Sequence, residues 1–109
     1  NHRAALYSHQ DEVARLTAEL ELVLYKRRDA EGRAALYRDS LLPKAEQALN
    51  VAQQAFAAGR SDFLSVIDAH RALLEFQLAY ERARTDQALY LAEIEILAGA
   101  SLITEEDKR

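Results

Sequence analysis

Ala55 to Asp68, AFAAGRSDFLSVID, decides the fold, because it holds the one convincing reversal in a chain otherwise patterned for long helices. Gly59 can take φ > 0 without a Cβ clash and so end a helix. Ser61 and Asp62 follow with side-chain oxygens for the free N–H groups of a new helix, and Asp62 also suits its positive N-terminal end. A helix stop followed within a few residues by a helix start predicts a hinge. The rest of the chain then reads as two helical arms leaving one corner, and the corner as the functional end.

Working outward on the N-terminal side, Ala45, Ala48, Ala52 and Ala55 keep helical spacing back to Pro43. Pro43 removes a backbone donor and its ring clashes with the carbonyl of Asp39. Two readings compete there: a fresh helix capped by Ser40, or one long helix that bends and carries on. The four-residue step from Leu41 to Ala45 favours the second, since it shifts a seven-residue repeat toward an eleven-residue one. Gly32 reads as a tolerated interior glycine costing about 1 kcal/mol relative to alanine.

Farther back, Leu6, Val13 and Leu20 repeat every seven residues, with Leu16, Val23 and Ala30 as the companion row and Ala34, Tyr37 and Leu41 as the continuation. Glu12, Arg15, Glu19, Lys26 and Arg27 are expected off this seam. Leu22, Leu24 and Tyr25 form a second apolar stripe, so the helix wants two neighbours. A helix from about Ala4 to Ala57 would be roughly 80 Å long.

On the C-terminal side, Phe63, Val66, Ile67, Leu73, Leu74, Leu78, Leu91, Ile94 and Leu97 recur at helical spacing, with Tyr80 and Ala83 between them. Gly99 is placed to cap this helix, and residues 100–109 are expected as a loose tail. The predicted fold is all-α: a long antiparallel coiled-coil hairpin with helices over about 4–57 and 62–98, and a tip at 58–62. Because the arms are unequal, part of the first needs cover from outside the segment.

Composition narrows the function classes. The chain has 109 residues, 50% hydrophobic and 29% charged, with one Pro and three Gly, which fits a helical protein and not a sandwich of short strands. Starting at Asn1 and lacking Met, it reads as an excised piece. A net charge of −4 with Lys and Arg interspersed among acids argues against nucleic acid as partner. There is no cysteine for a disulfide, thiolate metal site or nucleophile, and no Gly-rich phosphate loop. No uninterrupted apolar run nears the ~20 residues of a membrane span, so a soluble segment without membrane contact of its own is expected. His2, His9 and His70 lack helical metal-ligand spacing, Asp68 reads first as a solvated acid, and Tyr7, Tyr25, Tyr37, Tyr80 and Tyr90 read as seam-edge residues. The expectation is no enzyme, no cofactor and no metal.

From Tyr37 to Gly99 the chain, YRDSLLPKAEQALNVAQQAFAAGRSDFLSVIDAHRALLEFQLAYERARTDQALYLAEIEILAG, resembles the C-terminal repeat of TolC-like outer membrane efflux proteins, nearest the heavy-metal cation efflux (CusC/CzcC-like) type. The likeness is carried by LLP before an Ala-rich helix, by Phe56 and Gly59 at the turn, by FLSVIDAHRALL, and by the closing Leu97-Ala98-Gly99. The resemblance implies a trimer in the full-length protein, a β-barrel in the outer membrane of a Gram-negative envelope, and a periplasmic α-helical tunnel of which this segment is the second hairpin. It implies that Gly59, Arg60, Ser61 and Asp62 form the tip that docks a periplasmic adaptor linked to an inner-membrane pump. It also implies pore-facing roles for Ser65 and Asp68. Some relatives carry an acid where Ser65 stands, so an acidic ring here rests on Asp68 alone. The alternative from the residues themselves is a self-contained soluble coiled-coil interaction module; a third, weaker reading is a metal-binding helical domain.

Overall fold

The computed structural model describes residues 2–106, and for Glu105 the backbone alone. Among the described residues every regular element is helical. They are α1 (His2–Leu36), a π-helical turn (Tyr37–Leu41), α2 (Leu42–Ala57) and α3 (Phe63–Glu106). Two long helical arms on either side of a short turn are compatible with the expected hairpin. The chain forms two compact units, one of residues 30–85 around the turn and one of residues up to 29 with those from 86 onward.

In the unit around the turn, the chain reverses at residues 58–62 and returns alongside itself, so that the rings of Tyr37 and Phe76 lie 5.9 Å apart. One heptad back from Tyr37 is Ala30, and one heptad on from Phe76 is Ala83. Both are 0% exposed, the most complete burial among the described residues. In antiparallel register they fall opposite each other, which explains why alanine stands at both: two small side chains let the backbones approach closely. Ala34, Ala45 and Leu73 complete the buried set of this unit. The α3 side carries two heptad rows, Val66–Leu73–Tyr80 and Ala69–Phe76–Ala83, all buried or half-buried.

Pro43 neither breaks the helix nor shifts the repeat to eleven residues. The helix widens into the π-turn, where the Leu42 N–H donates to the carbonyl of Tyr37, five residues back, and Leu41 and Leu42 stay in the right-handed helical region. Such a turn holds one extra residue, and the burial pattern records it. Before the turn the inner positions are Ala30 and Tyr37 in one row and Ala34 and Leu41 in the other; after it they are Ala45 with Ala52, and Leu42 with Leu49. Each row has moved by one residue and then resumed its heptad. The extra residue is wound into the π-turn just before Pro43, where a wider turn also relieves the clash of the ring with the preceding carbonyl. On the outside of the turn Arg38 Nε donates to Asp39 Oδ1 at 2.8 Å. That hydrogen bond, more than the charge, holds the Asp39 carboxyl below its usual range. The lowered value means that any stabilisation is present at neutral pH and lost as pH falls through it. Both groups are exposed, so the pair is a minor contributor.

In the other unit, α1 contributes the inner positions His9, Val13, Leu16, Leu20, Val23 and Arg27, and α3 contributes Gln87, Tyr90, Ile94, Leu97, Ser101 and Thr104. Leu16 and Val23 are buried; the others are half-buried. Arg27, assigned by spacing to the solvent side, lies on the inner row with its Nε buried and unpaired. Its long apolar stem covers the seam, which an arginine can do while its charged head reaches outward. Leu6 leaves the seam and is 48% exposed. Tyr7 and Tyr25 are outside it as well, whereas Tyr37, Tyr80 and Tyr90 hold the half-buried positions expected of seam-edge residues.

The end expected at Gly99 is absent, for α3 continues through it to Glu106. Ser101 and Thr104 keep the heptad period on the inner row, and the Thr104 hydroxyl donates to the Ala100 carbonyl at 2.9 Å. With the period intact, one glycine costs helix stability without ending it. The expected loose tail is therefore helical as far as Glu106, and its last three residues lie outside the described part. The longer α3 also reduces the part of α1 left without a partner. The stretch Phe63–Thr104 is, by length and composition, apolar enough to cross a membrane, with a mean hydropathy of 1.2 in its most apolar window, although polar and charged residues interrupt it, so that it holds no unbroken apolar run of spanning length.

Candidate functional site at the helical tip

The turn is built from two complementary devices. At the end of α2, Ala58 is the last residue before Gly59, and Gly59 has φ 74°, the one positive φ in the chain's described part. The Gly59 N–H donates to Phe56 O at 3.0 Å and the Arg60 N–H to Ala55 O at 2.9 Å. These 5→2 and 6→1 hydrogen bonds are a Schellman motif, which satisfies carbonyls that the helix end would leave free. At the start of α3, Asp62 Oδ1 accepts from the Ser65 backbone N–H at 3.2 Å and from the Ser65 hydroxyl at 3.0 Å. Asp62 is thus an N-cap bonded to the third residue of its helix, and Ser65 adds a second donor to the same oxygen. The Ser61 hydroxyl reaches the Asp62 carbonyl only at 3.4 Å.

Arg60 and Asp62 are exposed and Ser61 is half-buried. Next to them the rings of Phe56 and Phe63 pack edge-tilted, centroids 5.4 Å apart, at 45% and 56% exposure. An aromatic pair that closes the turn yet leaves about half its surface in water is the most exposed aromatic cluster of this unit, and Leu64 at 60% exposure extends it. Sequence reading had placed Phe56 at the turn and Phe63 on a helix face. Their mutual contact has no sequence signature, because the six intervening residues give no spacing rule across a reversal.

The two positions expected to face a pore differ in chemistry. Ser65 is exposed, but its hydroxyl is committed to Asp62, which makes it part of the cap. Asp68 is exposed, off both inner rows of α3, and available as a free carboxylate. Lys44, Gln47, Ala48, Val51, Ala52 and Ala55 of α2, with Ser61 of the turn, line a shallow open groove of about 510 Å³. Ala48, read from spacing as a seam residue, is exposed on this groove, since the one-residue shift at the π-turn turns it outward. The small residues and the exposed Val51 were the available sign of the groove.

The histidines do not converge. His2 and His70 are exposed, His9 is half-buried with a buried unpaired Nε2, and no group of three His, Asp or Glu side chains comes together among the described residues. What the tip offers is a capped turn with an exposed aromatic pair, the cation Arg60 and the acid Asp62, with Asp68 farther along α3. No protein-family model, curated protein or solved structure matches this chain.

Proposed function

We propose that the chain is the second periplasmic hairpin of a TolC-like, trimeric outer membrane efflux channel in a Gram-negative type envelope, where it forms tunnel wall and docks a periplasmic adaptor through its tip. The adaptor in turn joins the channel to an inner-membrane pump, and the segment works by packing and electrostatics without bond-making. The observation that carries this reading is the tip: a doubly capped reversal that presents Phe56 and Phe63 to solvent between two long helical arms. The order of residues from Tyr37 to Gly99 supports it. Apolar residues left outside the seam, such as Leu22, Leu78 and Leu89 at 53%, 66% and 61% exposure, are what a helix in a closed wall of helices requires. In such a wall Asp68 is the acid that faces the conducted species.

The reading predicts that Phe63→Asp in the full-length channel abolishes export while leaving assembly of the trimer intact, measured as susceptibility of cells to an exported toxicant beside the amount of heat-resistant trimer. Full export by that variant contradicts tip docking. The second reading, a self-contained coiled-coil module, is favoured by the continuous heptads on α3 and would be supported by a single discrete oligomer of the isolated chain in sedimentation.

A further inference from the structure

In the unit around the turn, the reversal leaves the heptad in step. Ala45 and Ala52, the inner row of α2, are followed after seven residues by Gly59 and after seven more by Val66, where the inner row Val66–Leu73–Tyr80 of α3 begins. The companion row Leu42–Leu49 runs on in the same way through Phe56 to Phe63. A reversal transmits no helical phase, so a hairpin by itself does not require its two arms to share one frame. Sharing it means that, were residues 58–62 wound into helix, α2 and α3 would present their seams on one face of a continuous helix.

The turn is also able to wind. Ala58, Gly59, Arg60, Ser61 and Asp62 include no proline and no β-branched side chain. What holds them bent is local: the positive φ of Gly59, the two hydrogen bonds that close α2, and the Asp62 cap on α3. A short turn held by such devices between long complementary arms is the setting in which arms are exchanged between molecules. The surface that opening would uncover is the inner seam, and the complement of that seam is the same seam in another copy.

We infer that this hairpin opens to exchange arms with a second copy of the chain: residues 58–62 become helical, and residues 63–85 of each copy pack against residues 30–57 of the other. Contacts made within one chain are then remade between two. Tyr37 meets the partner's Phe76 in place of its own, and Phe56 meets the partner's Phe63, contacts that close at 5.9 and 5.4 Å in the hairpin. The exchange uses the inner seam and none of the exposed flanks, so it stands independently of the tunnel-wall reading, which is tested at the tip.

A distance within one chain tests it. Arg38→Cys and Gln77→Cys, both at exposed positions of a 109-residue chain with no cysteine of its own, carry spin labels beside the Tyr37–Phe76 contact. Labelled chain is refolded at high concentration with an excess of unlabelled chain, so that only distances within one molecule are read, and dimer is separated by size. The closed hairpin holds the labels within about two helix diameters, roughly 20–25 Å, whereas a helix wound through the turn sets them about 60 Å apart. The dimer is expected to show the long distance. Gly59→Ala strains the bent turn and favours helix, and should raise the dimerisation constant about a hundredfold. Asp62→Ala removes a cap that only the hairpin uses and should raise it about tenfold, which reads the same shift should Gly59→Ala fail to fold. Two glycines inserted after residue 59 of the Gly59→Ala chain lengthen the turn at little cost and put the arms out of frame, and should suppress the long-distance dimer. A dimer showing only the short distance, turn variants that dimerise no better than the parent, or an insertion that leaves the exchange undiminished would overturn the inference.

Discussion

Gly59 and Gly32 show how the same residue type does opposite things. At Gly59, φ is 74°, a conformation that costs an L-residue roughly 1–2 kcal/mol, so Gly59→Ala should lower the unfolding free energy by about that amount in a urea titration. Gly32 sits in α1 with nothing within 4 Å of an added Cβ. Gly32→Ala should therefore raise stability by about 0.5–1 kcal/mol through helix propensity and a less free unfolded chain. Asp62→Ala removes the acceptor for two Ser65 hydrogen bonds and should cost about 1 kcal/mol. Ser65→Ala keeps the backbone bond and should cost less than half of that in the same titration. The glycine and the aspartate of the turn were legible in the sequence because capping chemistry is local, whereas Ser61, expected to cap beside Asp62, turns its hydroxyl to the Asp62 carbonyl instead. The bond of the Ser65 hydroxyl to Asp62 has no mark of its own in the sequence, where the resemblance alone singles out Ser65.

At the level of the helix, the seam was legible wherever apolar residues kept their period, and illegible where a polar one did. Arg27 sits on the inner row because its stem is apolar, which a charge-based reading inverts. Ser101 and Thr104 carry α3 past Gly99 for a similar reason: they hold the period without being hydrophobic. The π-turn was half legible. Pro43 and the four-residue step marked the place, but only the positions that are buried on either side show that one residue is wound out and not spread over an eleven-residue repeat. That account makes a specific forecast. Deleting Asp39 together with Pro43→Ala removes the extra residue and leaves both halves of the seam in frame, so stability should stay within about 1 kcal/mol of the parent. Deleting Glu46 with the same Pro43→Ala turns Leu49 and Ala52 off the seam and should cost on the order of 2–3 kcal/mol, given the burial lost. Close packing at the alanine layer is equally testable: Ala83 is 0% exposed, so Ala83→Leu should overpack it and cost about 1–3 kcal/mol by thermal denaturation.

For the molecule as a whole, a seam with so few fully buried side chains leaves a large apolar remainder facing outward, from Leu64 near the tip to Ile103 near the far end. The fold therefore makes sense as a part of something larger, whether copies of itself or the other hairpins of a channel. The sequence carries this in its two-flank patterning, but the identity of the neighbours depends on surfaces that meet only in the assembly. The tip is the feature that separates the proposed channel segment from a plain interaction module. Its most direct test is a photo-crosslinking side chain at Ser61 in the full-length protein, in cells that carry the rest of the export apparatus, with the captured species identified by mass spectrometry. The account predicts a crosslink to the helical hairpin of a periplasmic adaptor, lost on Phe63→Asp. Capture of lipid or of cytosolic proteins alone would contradict it.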